Sequence, residues 1–399
     1  MKTYRLYMVA ALFTAVLAVV MTGCEFDVAQ PQWNKDFTAS PTPVINQIEP
    51  AHTAAAGVNF ITIRGLNFEG VPDTNSVYFG VKPVEIVQKS GTAIVVRRPN
   101  LVTDSCTVKV VVDRALAIAQ FGPYRIDPVL NKYGSFLDNA ELSAVAVDNA
   151  ENLYVMETSS KKIVKVTPDG VKTTVGTATR TPTDAKIGPD GNLYLVENNR
   201  AIDQVNLATG VVKRWTQLPS GKVAKFGDFD ANGYFYTGGT NTDLVVVAPN
   251  LSVTSAGFYA SDDIFAIHVY NDAVYVVSRK SNSEDPAKIW KHQIDANGNV
   301  GAQSLVLDMK TTGGFSSRLI RSMIFSSNGT LYLATDSVDP ILVVDLATMQ
   351  VDYFYKGIVP PYCKDFCWGS GNYIYMISGD AIAGQEWTVY RIDMGSTGA

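Results

Sequence analysis

The amino-acid sequence predicts an all-β fold, with a small β-sandwich at residues 43–127 and a six-bladed β-propeller at residues 128–396. Short alternating strands separated by Gly, Pro, Asn and Asp fill the first segment, which is typical of a sandwich. In the second segment a turn followed by a tyrosine-bearing strand recurs, most clearly at residues 190–196. The repeat tyrosines are Tyr154, Tyr194, Tyr236, Tyr275, Tyr332 and Tyr375.

The spacing of these tyrosines predicts the blades. Successive repeat tyrosines lie 40, 42, 39, 57 and 43 residues apart, and one blade holds four strands in about 40 residues. The long interval from Tyr275 to Tyr332 leaves room for extended loops. Because a propeller must close its ring, the piece that precedes the first complete blade, within residues 129–137, is predicted to add an outer strand to the last blade.

The composition excludes some classes of protein. Of 399 residues, 46% are hydrophobic and 18% are charged, which is typical of a globular chain. The net charge is −5, from 33 Lys and Arg against 38 Asp and Glu. Without a global basic field, the chain is not expected to bind nucleic acid.

The first 23 residues predict a targeting signal. Lys2 and Arg5 precede an apolar run at residues 7–20, and Met21-Thr22-Gly23-Cys24 follows. This pattern resembles a bacterial lipoprotein signal, with Met21 in place of the usual leucine, and the resemblance implies acylation of Cys24. The acyl chains would anchor the protein to a membrane without spanning it. An uncleaved helix or a plain secretory signal is the alternative.

The residues after Cys24 bear on the location of the protein. Glu25 and Asp27 resemble the acidic export signal of surface lipoproteins in the Bacteroidota. The resemblance implies an outer-membrane protein that faces the cell exterior, with a periplasm-facing lipoprotein as the alternative. Residues 24–42 have no periodic apolar pattern and contain several prolines, which predicts an extended tether.

Three motifs in the sandwich segment carry a family resemblance: PVINQIEP at residues 43–50, FITIRGLNF at 60–68 and VYFG at 77–80. They resemble the IPT/TIG immunoglobulin-like domain, although Ala54-Ala55-Ala56-Gly57 replaces the usual two-glycine turn. Such domains mostly act as spacers. Gly65 and Gly80 are predicted to adopt positive φ at strand ends. Pro123 and Pro128 predict a short, stiff junction to the propeller.

The blades resemble NHL-type repeats, and virginiamycin-lyase-like propellers share the same loose signature. One copy also resembles the start of an EF-hand calcium loop, with Asp228, Asp230 and Asn232 at ligand spacing. The closing position, which needs a glutamate, is Gly239. Because the segment coincides with the recurrent turn, a structural hairpin is the preferred interpretation.

Motifs for catalysis are scarce. The sequence has three histidines, His52, His268 and His292, and contains no nucleophile elbow, zinc histidine pair or phosphate-binding loop. No metal or cofactor is predicted, and a non-catalytic protein is preferred over an enzyme. Of the cysteines beyond Cys24, Cys363 and Cys367 are predicted to be buried thiols, with a disulfide as the alternative.

Candidate ligand-binding residues lie where the inner strands of the propeller begin. Counting back from each tyrosine places Thr183, Lys225, Arg321 and Lys364 in equivalent positions, with Asp184, Ser322 and Asp365 one residue further on. The three cations would suit acidic sugars or carboxylates; charge pairs between blades are the alternative. Trp368 is a further candidate, because aromatic rings stack on sugars.

These features together predict a surface lipoprotein that captures an extracellular ligand, most simply a polysaccharide or oligosaccharide, on its propeller. The layout resembles accessory glycan-binding proteins that work with SusC/SusD-type outer-membrane transporters. The membrane would be contacted through the lipid anchor only. A protein-interaction scaffold in an envelope complex, and a propeller hydrolase or lyase acting on a small or sugar substrate, are the alternatives.

Overall fold

The computed structural model describes residues 37–69, 75–136, 140–380 and 385–399. In these ranges regular structure is almost entirely β, with two short 3-10 helices at Met309–Thr311 and Gly313–Phe315. The same ranges contain no helix with the length and apolar character needed to cross a membrane. The predicted signal, Cys24 and most of the tether lie outside the described residues.

The N-terminal domain is a sandwich of two sheets. One sheet contains, in spatial order, Val44–Glu49 (β1), Phe60–Leu66 (β3), Ala93–Arg97 (β7) and Ile86–Lys89 (β6). The other contains Thr53–Ala54 (β2), Ala119–Ile126 (β9), Thr103–Val111 (β8), Ser76–Phe79 (β4) and Lys82–Val84 (β5). Alternate side chains of both sheets meet in one core, which includes Ile61, Ile63, Val108 and Val110.

The two glycines of the sandwich have different roles. Gly80 has φ +62°, as predicted. Gly65 does not adopt positive φ, so that prediction was wrong: it lies within β3, where a Cβ atom would come within 1.9 Å of the Val44 carbonyl oxygen. Close approach of two backbones, rather than backbone conformation, requires glycine at this position.

Described residues from 130 to 393 form six antiparallel sheets of four strands. The first three sheets are Leu142–Val147 (β11), Leu153–Glu157 (β12), Lys162–Val166 (β13) and Lys172–Thr177 (β14); Asp184–Ile187 (β15), Leu193–Val196 (β16), Ala201–Val205 (β17) and Val212–Gln217 (β18); and Phe226–Phe229 (β19), Phe235–Gly238 (β20), Leu244–Val247 (β21) and Val253–Gly257 (β22).

The fourth to sixth sheets follow the same order, except that the sixth takes its outer strand from the start of the segment. They are Asp262–Tyr270 (β23), Ala273–Lys280 (β24), Lys288–Ile294 (β25) and Val300–Asp308 (β26); Ile320–Phe325 (β27), Leu331–Thr335 (β28), Ile341–Asp345 (β29) and Gln350–Tyr353 (β30); and Cys363–Trp368 (β31), Tyr373–Asp380 (β32), Gln385–Asp393 (β33) and Leu130–Tyr133 (β10).

The first strand of each sheet lies at the centre of the molecule. β11, β15, β19, β23, β27 and β31 each contact the next in this order, and β31 contacts β11. The sheets therefore form a closed ring around a central channel, which is the arrangement of a β-propeller. We call the end of the channel where these inner strands begin the upper mouth, and the end where they finish the lower mouth.

Strand β10 closes the ring. It pairs antiparallel with β33, from Leu130 opposite Ile392 to Tyr133 opposite Val389. The Tyr133 hydroxyl donates to the Thr167 carbonyl at 2.9 Å in the neighbouring first sheet. The predicted outer strand is confirmed, and it spans residues 130–133.

The repeated tyrosine has a structural role. Tyr236 donates from its hydroxyl to Asp230 at 3.1 Å, and the backbone N–H groups of Asn232 and Tyr234 donate to the same carboxylate. Tyr154 and Tyr194 form equivalent bonds to the turn residues Asp148 and Asp190. The preferred interpretation of this motif as a hairpin turn is therefore confirmed.

The two domains pack against each other. Arg97 of the sandwich pairs with Asp352 on β30, the outer strand of the fifth sheet, with 2.7 Å between Nη2 and Oδ1. Lys356 Nζ lies 2.8 Å from Glu85 Oε2, and the Tyr355 hydroxyl accepts from the Gly57 N–H at 2.6 Å. Contacts on both sides of the junction hold the domains in one relative orientation, as a stiff junction requires.

Cys363 and Cys367 both lie on β31, and both are free thiols, as is Cys106. A disulfide between Cys363 and Cys367 is therefore ruled out. Burial, together with the charge of Asp365, raises the pKa of both thiols well above the ordinary value.

Candidate functional site

Each inner strand carries an extra residue where it begins. In four sheets the pairing of the first strand with the second skips one residue of the first strand, and these residues are Ser143, Phe265, Arg321 and Lys364. A β-bulge of this kind leaves the extra residue out of the ladder and changes the direction of its side chain.

The other two inner strands begin in the same way. The Thr183 N–H donates to the Val196 carbonyl, although Val196 lies opposite Asp184 in the ladder. The Lys225 N–H likewise donates to the Gly238 carbonyl, although Gly238 lies opposite Phe226. The six extra residues form what we call the bulge ring: Ser143, Thr183, Lys225, Phe265, Arg321 and Lys364. Four of its members lie at the positions that counting back from the tyrosines predicted.

The cations of the bulge ring lie near one another at the upper mouth. Lys225 is half-buried, whereas Arg321 and Lys364 are exposed. Burial lowers the pKa of Lys225, and the charges of Arg321 and Lys364 lower it further, against the opposing charge of Asp263. Arg321 Nη2 lies 3.3 Å from Asp336 Oδ2. Among the described residues, neither Lys225 nor Lys364 has an ion-pair partner.

An aromatic ring lies among these charges. The Lys225 Nζ is 5.9 Å from the ring centroid of Phe265, and the Arg279 Cζ is 5.0 Å from it. Both distances fit cation–π contacts. Arg279 reaches the mouth from β24, and its buried Nε has no hydrogen-bond partner in the described part of the chain. Sequence reasoning missed both Phe265 and Arg279.

Asp184 and Asp365 occupy a different layer from the cations. Both are buried, and each carboxylate accepts from a backbone N–H of the next sheet, Gly227 at 2.9 Å and Val145 at 3.1 Å respectively. Asp184 also lies 2.9 Å from the Lys186 ammonium. Both carboxylates thus join neighbouring inner strands through backbone hydrogen bonds, whereas the Asp184–Lys186 ion pair lies within β15.

Burial governs the protonation of this layer. It raises the pKa of Asp365 to about 7, with a further contribution from the charge of Asp184. The pKa of Asp184 is also raised by burial, although Lys186 opposes the shift. Asp184 and Asp365 are therefore engaged in the wall of the channel, beneath Lys225 and Lys364.

Trp368 lies at the other end of the channel. It is the last residue of β31, its indole N–H donates to the Gly371 carbonyl at 3.1 Å, and its ring packs edge-on against Tyr332. The structure therefore does not bring Trp368 together with Lys225, Arg321 and Lys364. Trp368 follows Lys364 by four strand positions on β31, so it belongs to a separate candidate surface.

The lower mouth contains a second group of polar side chains. A cavity of about 750 Å³ is lined by Lys186, Asp228 and His268 as well as by Trp368. The His268 Nδ1 lies 2.9 Å from Asp228 Oδ2, and the imidazole stacks on Phe325. Although burial favours the neutral carboxyl, bonding to His268 outweighs it and the pKa of Asp228 is lowered. No motif in the sequence singles out His268.

Comparison with known proteins identifies the N-terminal domain. Residues 43–125 match the IPT/TIG domain. The resemblance noted in the sequence is therefore confirmed for this segment. The comparison with curated proteins gave no match.

Solved structures share the architecture at low sequence identity. An auxiliary nutrient binding protein from Bacteroides thetaiotaomicron is 11% identical, with 90% of this chain and all of that chain covered and a TM-score of 0.50. A gluconolactonase from Xanthomonas campestris is 11% identical over 80% of this chain and 97% of that chain, with a TM-score of 0.52. A luciferin-regenerating enzyme is 13% identical over 68% and 97%, with a TM-score of 0.53. At these identities the likeness concerns the fold.

Proposed function

We propose that the chain is a non-catalytic lipoprotein of the outer membrane that captures an extracellular glycan at the upper mouth of a six-bladed propeller. Acyl chains on Cys24 anchor it, the tether and the IPT/TIG domain hold the propeller away from the membrane, and the captured glycan passes to a SusC/SusD-type uptake system. In this account the protein serves as an accessory to the transporter.

The bulge ring is the observation that carries this proposal. Six equivalent backbone positions meet at one mouth, and their side chains differ from blade to blade. A constant scaffold with variable side chains is a typical arrangement for ligand recognition. Cations and hydroxyls suit the polar groups of a sugar, and the Phe265 ring suits its apolar face.

Two further observations support the cellular setting. The N-terminal motif resembles a lipoprotein signal followed by the acidic export motif of the Bacteroidota. The solved structure that matches over 90% of this chain is described as an auxiliary nutrient binding protein from a Bacteroides species. Both are compatible with capture of a nutrient at the cell surface.

A glycan array tests the proposal. The purified protein is expected to bind a subset of plant, host or microbial polysaccharides, and Arg321→Ala is expected to weaken that binding. Trp368→Ala is the matched comparison, because it changes the lower mouth only. Absence of binding to every glycan would contradict the proposal. Recovery of a stoichiometric protein partner from native membranes would then favour an interaction scaffold.

The lower mouth supports a second candidate function, that of a hydrolase or lyase. An imidazole held by a buried carboxylate, next to an ammonium group, is a common arrangement for proton transfer. His268, Asp228 and Lys186 have this arrangement in a cavity large enough for a small substrate. If activity is detected against a panel of esters and glycosides, His268→Gln is expected to abolish it and Arg321→Ala to leave it unchanged.

A further inference from the structure

We infer that the upper mouth selects acidic saccharides, in which a carboxylate or sulfate contacts Lys225, Arg321 and Lys364 while the sugar ring packs on Phe265. This inference rests on the proposed function, since it names the chemical class of ligand for the same site. It goes further in excluding neutral glycans as the preferred ligand.

Cations cluster at one mouth of a chain whose net charge is −5. Lys225, Arg279, Arg321 and Lys364 lie around this mouth, and Arg321 and Lys364 are near enough to Lys225 to lower its pKa. Asp263 and Asp336 lie beside them, and Glu157 and Glu197 lie at the same end of the second strands of the first two sheets. Asp263 is already bonded by the Ser281 hydroxyl at 2.7 Å. Lys225, Arg321 and Lys364 therefore form a local cluster of positive charge, which attracts anions over the short range that salt allows.

The arrangement costs free energy when no ligand is present. Lys225 is half-buried beside two other cations, and neither burial nor like charge favours an ammonium ion. The bulges keep these side chains at the mouth, because each bulged residue is fixed by the ladder on both sides. An anion placed between the cations would offset this cost.

Phe265 favours a saccharide over a simple inorganic anion. The ring is half-buried at the bulge of β23, where Lys225 and Arg279 approach it. The ring itself is apolar, and its centroid lies 5.9 Å from the Lys225 Nζ and 5.0 Å from the Arg279 Cζ. An acidic sugar presents a C–H face and a charged group together, so it matches the ring and the ammonium groups at once.

Paired ligands that differ only in charge test this inference by isothermal titration calorimetry. Polygalacturonate oligosaccharides are compared with the same oligosaccharides after full methyl esterification, and dextran sulfate is compared with dextran. The first pair tests carboxylate and the second tests sulfate. At least one acidic member is expected to bind tenfold or more tightly than its neutral counterpart, and its binding should weaken as salt is added.

Variants locate the binding. Lys225→Gln combined with Lys364→Gln removes the two cations that have no ion-pair partner, and about a tenfold loss of affinity is expected for each. Lys162→Gln combined with Lys213→Gln makes the same change in net charge at exposed positions on β13 and β18, and should leave affinity unchanged. Phe265→Leu is expected to weaken saccharide binding about three- to tenfold.

The possible failures are distinguishable. If neutral and acidic members of both pairs bind equally, or the Lys225 and Lys364 variant binds as well as its control, selection of acidic saccharides is wrong while glycan capture stands. If no glycan binds, charged or neutral, the proposed function and this inference both fail. Thermal melting of each variant shows whether a loss of binding reflects a loss of folding.

Discussion

Closure of the ring by β10 gives a quantitative prediction at Tyr133. This side chain is 8% exposed, its hydroxyl bonds the Thr167 carbonyl at 2.9 Å, and its ring lies 5.2 Å from that of Tyr375. Tyr133→Ala removes a buried aromatic side chain and is expected to cost about 3–5 kcal/mol. Tyr133→Phe removes only the hydrogen bond and should cost about 1 kcal/mol.

Thermal unfolding followed by circular dichroism measures both changes. For a domain of this size each kcal/mol lowers Tm by about 2 °C, so the alanine variant should melt about 6–10 °C lower and the phenylalanine variant about 2 °C lower. Lys132→Ala is the control, because Lys132 is exposed on the same strand. If Tyr133→Ala melts at the same temperature as Lys132→Ala, β10 does not hold the ring closed.

Three other predictions concern the turn, the channel wall and the junction. Asp230→Ala removes the acceptor of three hydrogen bonds and should lower the free energy of unfolding by about 2–3 kcal/mol in chemical denaturation. Added calcium should leave the Tm of the wild type unchanged, and a calcium-dependent rise in Tm would instead favour a calcium site. Because the pKa of Asp365 is raised to about 7, the folded chain binds an extra proton between about pH 4 and about pH 7, and stability therefore falls as pH rises through that window. The Tm of Asp365→Asn should fall less than that of the wild type over the same range, and an equal fall of Tm in both proteins would contradict this assignment. Arg97→Ala breaks the contact with Asp352 and should enlarge the radius of gyration in small-angle scattering, while an unchanged value would show that the remaining contacts hold the domains together.

The sequence predicted the fold well because its signals are local and repeated. The tyrosine lies on the second strand of every sheet, and in the first three sheets its hydroxyl bonds a turn residue only a few positions away, as Tyr194 does with Asp190. Because the pattern recurs six times, its spacing predicts how many sheets there are and which residues of each sheet occupy equivalent positions. The IPT/TIG segment likewise preserves its strands in order, so residues 43–125 were recognisable.

The sites were predicted only in part, because they depend on contacts between sheets. Counting back eleven residues from the tyrosines finds Lys225 and Arg321, but Phe265 lies ten before Tyr275, since the hairpin of the fourth sheet is one residue shorter. Arg279 lies on β24, the second strand of its sheet, whereas counting back from the tyrosines finds residues of the first strands only. The pair of His268 and Asp228 joins sheets 40 residues apart in the sequence.

The most direct test of the account is a lysine footprint of the ligand-bound protein. Amine labelling followed by mass spectrometry is carried out with and without the acidic saccharide that binds most tightly. Lys225 and Lys364 are expected to become protected, while the exposed Lys162 and Lys213 on the outer surface keep their reactivity. Unchanged labelling of Lys225 and Lys364 with the saccharide bound would contradict capture at the upper mouth, because the ligand would then occupy another surface.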